Sequence, residues 1–297
     1  MSKSKDYTIN PMLGIILKKL RKSKGCTLKE AAGSSFSSAH LSNFEHGKTE
    51  LSSHLFLELL KNINVSIIEF QRYYENSLTS YNSNQVSNED ISSAHLTGNI
   101  TKLNNVLSIL ESNSELDGSK HCKLEIIRIR AIISSINPSR VLPKEDIYQL
   151  KYYLLQLEEW GRYDISLLGQ CCTNFDLGSL AILTDHMLNP CQSTITLESN
   201  QHILVQTVLN IMAFFIENKQ YERANRLINY LKNIKVGEHY MLEKLIFIYN
   251  SAKLDYKLGD KSALKVLEKC ENILEFCGCF DNANVLSKEI TTFKNEK

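Results

Sequence analysis

Glycine and proline together fill only 16 of 297 positions, about 5 % against a usual share near 12 %. A chain with so few turn-formers is ill suited to the many tight turns of a β-sandwich, barrel or propeller. It is equally poor material for glycine-rich phosphate loops. Helices joined by short breaks are what such a sequence can build. A hydrophobic share of 43 % and a charged share of 23 % describe an ordinary globule rather than a disordered chain or a coiled coil. No apolar run approaches the ~18 residues of a membrane span, so no membrane contact is expected. The apolar run at 12–17 is too short for a signal peptide, and its positive charges follow it instead of preceding it. A cytoplasmic protein is expected. Eight cysteines stand at 26, 122, 171, 172, 191, 270, 277 and 279 without a Cys-x-x-Cys pair. Metal and thioredoxin-like readings therefore fail, and most of the thiols are expected to be free and buried.

The net charge of +1 hides an asymmetry. Residues 1–80 carry 11 basic and 7 acidic side chains, a net of +4, and the rest of the chain carries −3. Lys18, Lys19, Arg21, Lys22 and Lys24 fall within seven positions. A basic N-terminal unit followed by a mildly acidic body is the pattern of a reader joined to something that does not touch phosphate.

In the basic unit Leu13, Ile16, Leu17 and Leu20 recur at helical spacing, and Gly25 is placed to end that helix. Thr27, with Glu30 three residues on, forms a capping box for a short second helix. Ser37 caps a third, running through residues 38–45 to Gly47, with Leu41 and Phe44 facing inward. Ser38, Ala39, His40 and Asn43 lie on its other faces. A fourth helix carries Leu55, Leu59, Leu60 and Ile63, and a fifth begins near Ser66 with Ile67, Ile68 and Phe70. Short helices with a tight second-to-third turn suit docking in the major groove.

From about residue 88 onward the pattern is helical throughout. Spans of 88–99, 101–112, 119–136, 144–159, 161–173, 177–189, 199–218, 221–234, 239–257, 260–277 and 281–294 are expected, separated by Asn-, Pro- and Gly-containing breaks. Paired helices turning every 15–20 residues are the signature of an α-solenoid. The predicted division is a helix-turn-helix domain at 1–75, a polar linker at 76–90 and a helical-repeat body at 91–297. Tyr152, Tyr153 and Trp160 are expected in the core of the body.

Residues 27–47, TLKEAAGSSFSSAHLSNFEHG, resemble the helix-turn-helix of the Cro/phage-repressor (XRE-type) family through Thr27, Glu30, Ala32, Ser37, Leu41, Ser42, Phe44, Glu45 and Gly47. They depart from it at Leu28 and Asn43. The stretch at 210–228 resembles a tetratricopeptide repeat through Asn210, Phe215, Tyr221 and Ala224, and 248–268 is a weaker copy with Ala263 in the small position. Trp160, Tyr163, Asp164, Leu167, Leu168 and Gly169 resemble a segment of the Rgg/GadR/MutR regulators, with Gln170 where that segment ends in Asn. The whole order is similar to that family over roughly residues 11–294.

The resemblance implies an all-α protein, a five-helix DNA-binding domain followed by a tetratricopeptide-like solenoid. It implies a cytoplasmic homodimer on double-stranded promoter DNA, joined through the last helices at 260–294. It also implies a short hydrophobic signalling peptide bound in the concave body, as in quorum sensing. Ser37, Ser38, His40 and Asn43 are the expected DNA-reading residues, and Asn43 has the donor–acceptor pair that matches adenine. Lys18, Lys19, Arg21, Lys22 and Lys48 are the expected phosphate contacts. For the peptide, Asn210 takes the clamping position, with Gln206 and Ala213 on its face, Gln170 on the preceding repeat, and Tyr249 and Lys253 on the next. No cofactor, no metal site and no catalytic motif is expected. A ligand-independent dimeric regulator and a helical-repeat protein adaptor are the competing readings.

Overall fold

The computed structural model describes residues 11–81, 88–114, 118–189, 198–234 and 237–295. Among them all regular structure is helical, as the scarcity of turn-formers requires. The chain separates into two compact units, Met1–Gln85 and Val86–Lys297.

The first unit holds α1 (Met12–Ser23), α2 (Leu28–Ala32), α3 (Ser38–Glu45), α4 (Ser53–Asn62) and α5 (Ile67–Tyr81). Its boundaries are set by local chemistry. Thr27 Oγ1 accepts from the Glu30 N–H, and the Glu30 carboxylate reaches back to the Thr27 N–H, which completes the capping box. Ser37 and Ser52 cap α3 and α4 through the His40 and Leu55 N–H groups. Leu17, Leu41, Leu59 and Ile63 are fully buried at the centre of the unit. Ile67 and Ile68 do not join it: both lie at least half exposed, and Phe70 alone of that trio turns inward, edge-on to Phe56. The expected linker narrows, because α5 continues through Tyr81 and the next helix starts at Asn88. Residues 82–87, the middle of that stretch, lie outside the described residues.

Among the described residues the second unit holds eleven α-helices: α6 (Asn88–Leu96), α7 (Ile100–Ser114), α8 (Lys120–Ile136), α9 (Lys144–Leu155), α10 (Arg162–Cys171), α11 (Leu177–Met187), α12 (Glu198–Glu217), α13 (Tyr221–Asn233), α14 (Met241–Lys257), α15 (Leu264–Phe276) and α16 (Phe280–Asn295). Each expected helix is present. Two expected ends tighten into 3₁₀ turns, at Cys172–Asn174 and at Lys261–Ala263, and α9 stops at Leu155, four residues early. No helix among the described residues is long and apolar enough to cross a membrane.

The stacking is that of a repeat array. α8, α10, α12 and α14 touch in succession as one row, while α13 packs on α12 and α14, and α15 on α14 and α16. α10 and α12 approach each other closely. A Cβ on Gly169 would stand 2.5 Å from Thr207 Oγ1 and 3.2 Å from Thr207 Cα. Thr207 Oγ1 in turn donates to the Ile165 carbonyl at 2.9 Å. Around this contact Leu167, Leu168, Val208, Ile211 and Trp160 are fully buried. The small residue of the tetratricopeptide pattern, Ala224, is fully buried too.

Of the three aromatic residues expected in the core, Tyr152 is not there. It is 65 % exposed, because one helical step turns it away from Tyr153, which packs against the core and donates to Asp164. Cys122, Cys171, Cys172 and Cys270 are buried free thiols. Burial pushes the Cys172 thiol up to about 12, so it stays protonated. Cys26 and Cys279 are half-buried, Cys277 is exposed, and Cys191 lies outside the described residues.

Gly169→Ala should cost about 1–3 kcal/mol by overpacking, read as a lower urea midpoint. Adding Thr207→Ala removes the obstructing Oγ1 and should recover part of that loss.

Candidate functional site

The exposed face of the helix-turn-helix is built by a buried ion pair behind it. Arg21 of α1 is 6 % exposed and Glu45 of α3 is 2 % exposed. Arg21 Nε donates to Glu45 Oε1 at 2.6 Å and Nη2 to Oε2 at 2.8 Å, while Nη1 donates to the Cys26 carbonyl at 2.7 Å. The Glu45 hydrogen bonds raise the Arg21 pKa above its ordinary value despite burial. Arg21 is therefore corrected from a phosphate contact to the clamp that fixes α3 against α1. The sequence placed it in a run of lysines, and its inward position became visible only once α1 was packed on α3.

The other candidates divide by what already occupies them. Asn43, Lys19, Lys22 and Lys48 are exposed, and their side chains make no hydrogen bond among the described residues. Lys18 Nζ lies 2.9 Å from His46 Nε2, and His46 Nδ1 lies 2.6 Å from the Ser42 carbonyl. This arrangement puts the imidazole proton on Nδ1 and lets Nε2 accept from the ammonium. Ser37 spends its hydroxyl on the cap of α3. Ser38 and His40 are half-buried, and His40 pairs with the Glu50 carbonyl at 3.3 Å. The surface that α3 offers is thus centred on Asn43, with Ala39 one turn before it, and the same unit exposes Lys19, Lys22 and Lys48.

In the body, Gln206, Asn210 and Ala213 fall on one face of α12 at spacings of four and three. Asn210 is exposed, and Ala213 leaves room beside it. Gln206 is engaged: its amide donates to Glu243 Oε1 at 2.9 Å, which also receives His202 Nε2 at 2.6 Å. Burial opposes ionisation of Glu243, but its backbone N–H, His202 and Gln206 outweigh that and hold its carboxyl below the usual range. Gln170 is half-buried and accepts from Arg128 Nη1 at 3.0 Å.

Tyr249 and Lys253 are corrected. Both are 2 % exposed. Tyr249 donates to Glu289 Oε2 at 2.6 Å, and Lys253 Nζ bridges Glu217 of α12, at 3.1 Å, to Glu289 of α16. Burial and Glu289 push the Tyr249 phenol up, so it remains a neutral donor. These side chains tie three helices together and present nothing to a ligand. The seam residues His202, Glu243 and Arg128 were missed in the sequence. Arg128 carried a legible signal, since Glu125, Arg128 and Arg130 interrupt the otherwise apolar stretch 124–133; Glu125 at 2.6 Å is its partner.

Residues 104–288 match the family described as "HTH-type transcriptional regulator Rgg, C-terminal domain". The chain is similar to the crystal structure of a variant of the Streptococcus dysgalactiae SHP pheromone receptor Rgg2. That match has 25 % identity, a TM-score of 0.72, and coverage of 96 % of this chain and 100 % of that one. A candidate transcriptional regulator from Listeria monocytogenes EGD-e has a TM-score of 0.77 at 18 % identity, over 96 % and 98 % of the two chains. The PrgX/cCF10 complex has a TM-score of 0.66 at 16 % identity, over 96 % and 93 %. The last two likenesses are of fold.

Removing one member of the Arg21–Glu45 pair leaves a buried charge alone. Arg21→Ala should therefore cost about 3–5 kcal/mol, seen as early loss of helicity in a urea titration. Arg21→Met with Glu45→Leu removes both charges and should be much milder.

Proposed function

This chain belongs to the Rgg family of helix-turn-helix transcriptional regulators, and from that premise we propose that it is a cytoplasmic, dimeric promoter-binding regulator controlled by a short peptide. The observation that carries the DNA half is the exposed Asn43 surface of α3, held by the Arg21–Glu45 clamp, in a unit that also exposes Lys19, Lys22 and Lys48. Asn43 reads a base edge, and the lysines supply sequence-independent attraction to phosphate. Ser37, Ser38 and His40 line the approach and act mainly through α3 itself. The domain assignment, a reader up to about residue 75 and a ligand-binding and dimerisation body after residue 90, follows the same division.

The peptide half rests on the open face of α12. Asn210 presents a donor and an acceptor together, as recognition of a peptide backbone needs. Gln206 stands one turn before it on α12, and Gln206 and Gln170 make hydrogen bonds that they can exchange. One protein of matching fold is described as a pheromone receptor and another as a complex with cCF10, which supports a peptide as the ligand class. The exposed Phe276 and Phe280 at the turn between α15 and α16 suit contact with a second copy, since apolar rings of 94 % and 63 % exposure gain by burial. Two copies also give a two-fold reader for a pseudo-palindromic operator.

Binding to the chain's own upstream promoter should fall steeply with salt. Lys19→Ala should lower the log–log salt slope by about one. Asn43→Ala should cost about 1–3 kcal/mol at one base position and leave non-specific binding unchanged. Salt-insensitive binding would point to the adaptor reading instead. Asn210→Arg should abolish saturable fluorescence-polarisation binding of hydrophobic peptides encoded beside the gene, without changing promoter affinity. If no such peptide binds the unaltered chain, the ligand-independent regulator is the correct form.

A further inference from the structure

In the body, α13 and α15 both pack on α14 but stand apart from each other, and leave the face of α14 between them uncovered. The result is an open groove of about 640 Å³. Its floor is apolar, with Phe247, Ile248 and Ala252 on α14, Leu258 just past its end and Val266 on α15. Ile248, Leu258 and Val266 are 47 %, 63 % and 40 % exposed, so the floor is unpartnered as it stands. The groove is also polar end to end. Glu222 at the start of α13, Asp255 in the last turn of α14 and Asp260 just beyond it gather at one end. Lys232, in the last turn of α13, stands at the other. Asp260 is held ionised by the Ser262 hydroxyl and N–H. Glu222, Asp255 and Lys232 have no ion-pair partner among the described residues.

An apolar trough with carboxylates at one end and an ammonium at the other selects its occupant. A helix laid in it with its N-terminus over the acidic end places its positive dipole end against the carboxylates and its negative end near Lys232. Cationic side chains in its first turn add to the fit. Such a helix runs in the same direction as α13 and fills the gap between α13 and α15. From Phe247 to Leu258 the floor spans about 16 Å at 1.5 Å per residue, which is roughly three turns. We propose that this groove is a docking site for an amphipathic helix of another protein, about three turns long, with an apolar face and Lys or Arg in its first turn. The site shares no residue with the Asn210 surface of α12 and does not rest on the peptide reading.

The test uses the full chain and two synthetic amphipathic peptides with the same Leu face. One carries two Lys in its first turn and Glu in its last, and the other has these charges exchanged. By fluorescence polarisation the Lys-first peptide should bind about tenfold more tightly, the combined effect of a few half-exposed charge contacts. Glu222→Lys with Asp255→Lys should reverse that order, and the reversal itself shows that the variant is folded. Asn210→Arg should leave both affinities unchanged, which separates this site from the proposed peptide site. Equal binding of the two peptides, no reversal by the charge swap, or no saturable binding at all would overturn the proposal. So would dissociation of the dimer by Leu258→Asp in sedimentation, since the groove would then belong to a second copy.

Discussion

The body stands on a distance: α10 and α12 approach so closely that Gly169 has no room for a side chain beside Thr207. Helices in an array bury their apolar stripe only against neighbours, so each contact in the row conditions the next. Where α10 is seated, α12 can bury Val208, Ile211 and Phe215, and α14 can then be joined through the Asn250 amide to the Leu209 carbonyl and through Lys253 to Glu217. The polar seam on this row is not decoration. With both faces of each contact half-apolar, the hydrogen bonds of Glu243, Asn250 and Lys253 set which register the helices adopt.

The reader unit solves a different problem with a similar device. Five short helices have a small core, and α3 must keep its outer face bare of large apolar groups to meet DNA. It has only Leu41 and Phe44 to hold it. The bidentate Arg21–Glu45 pair supplies the directional contact that two apolar side chains cannot.

The division of legible from illegible follows this physics. Helix positions were readable because caps and periodicity are local: Thr27, Glu30 and Ser37 act within three residues of themselves. All eleven helices of the body were readable for the same reason. Side-chain roles at helix–helix seams were not. Arg21 looks identical to Lys19 and Lys22 in the sequence, and only the facing Glu45 distinguishes it. Tyr249 and Lys253 sat at correct repeat positions, yet Glu289, thirty-six residues and more away, claims both. Asn210 kept its expected openness because no neighbour of opposite polarity reaches it.

The clamp between α1 and α3 has one further consequence. Because Arg21 and Glu45 lock the two helices, the offset from Lys19 and Lys22 to Asn43 is fixed before any operator arrives. On the proposed DNA-binding reading, α1 and α3 then need little ordering relative to each other on binding. In the proposed dimeric regulator, adjustment then comes from outside the unit, as a change in the separation of two such units, and what is controlled is the phase between half-sites along the double helix.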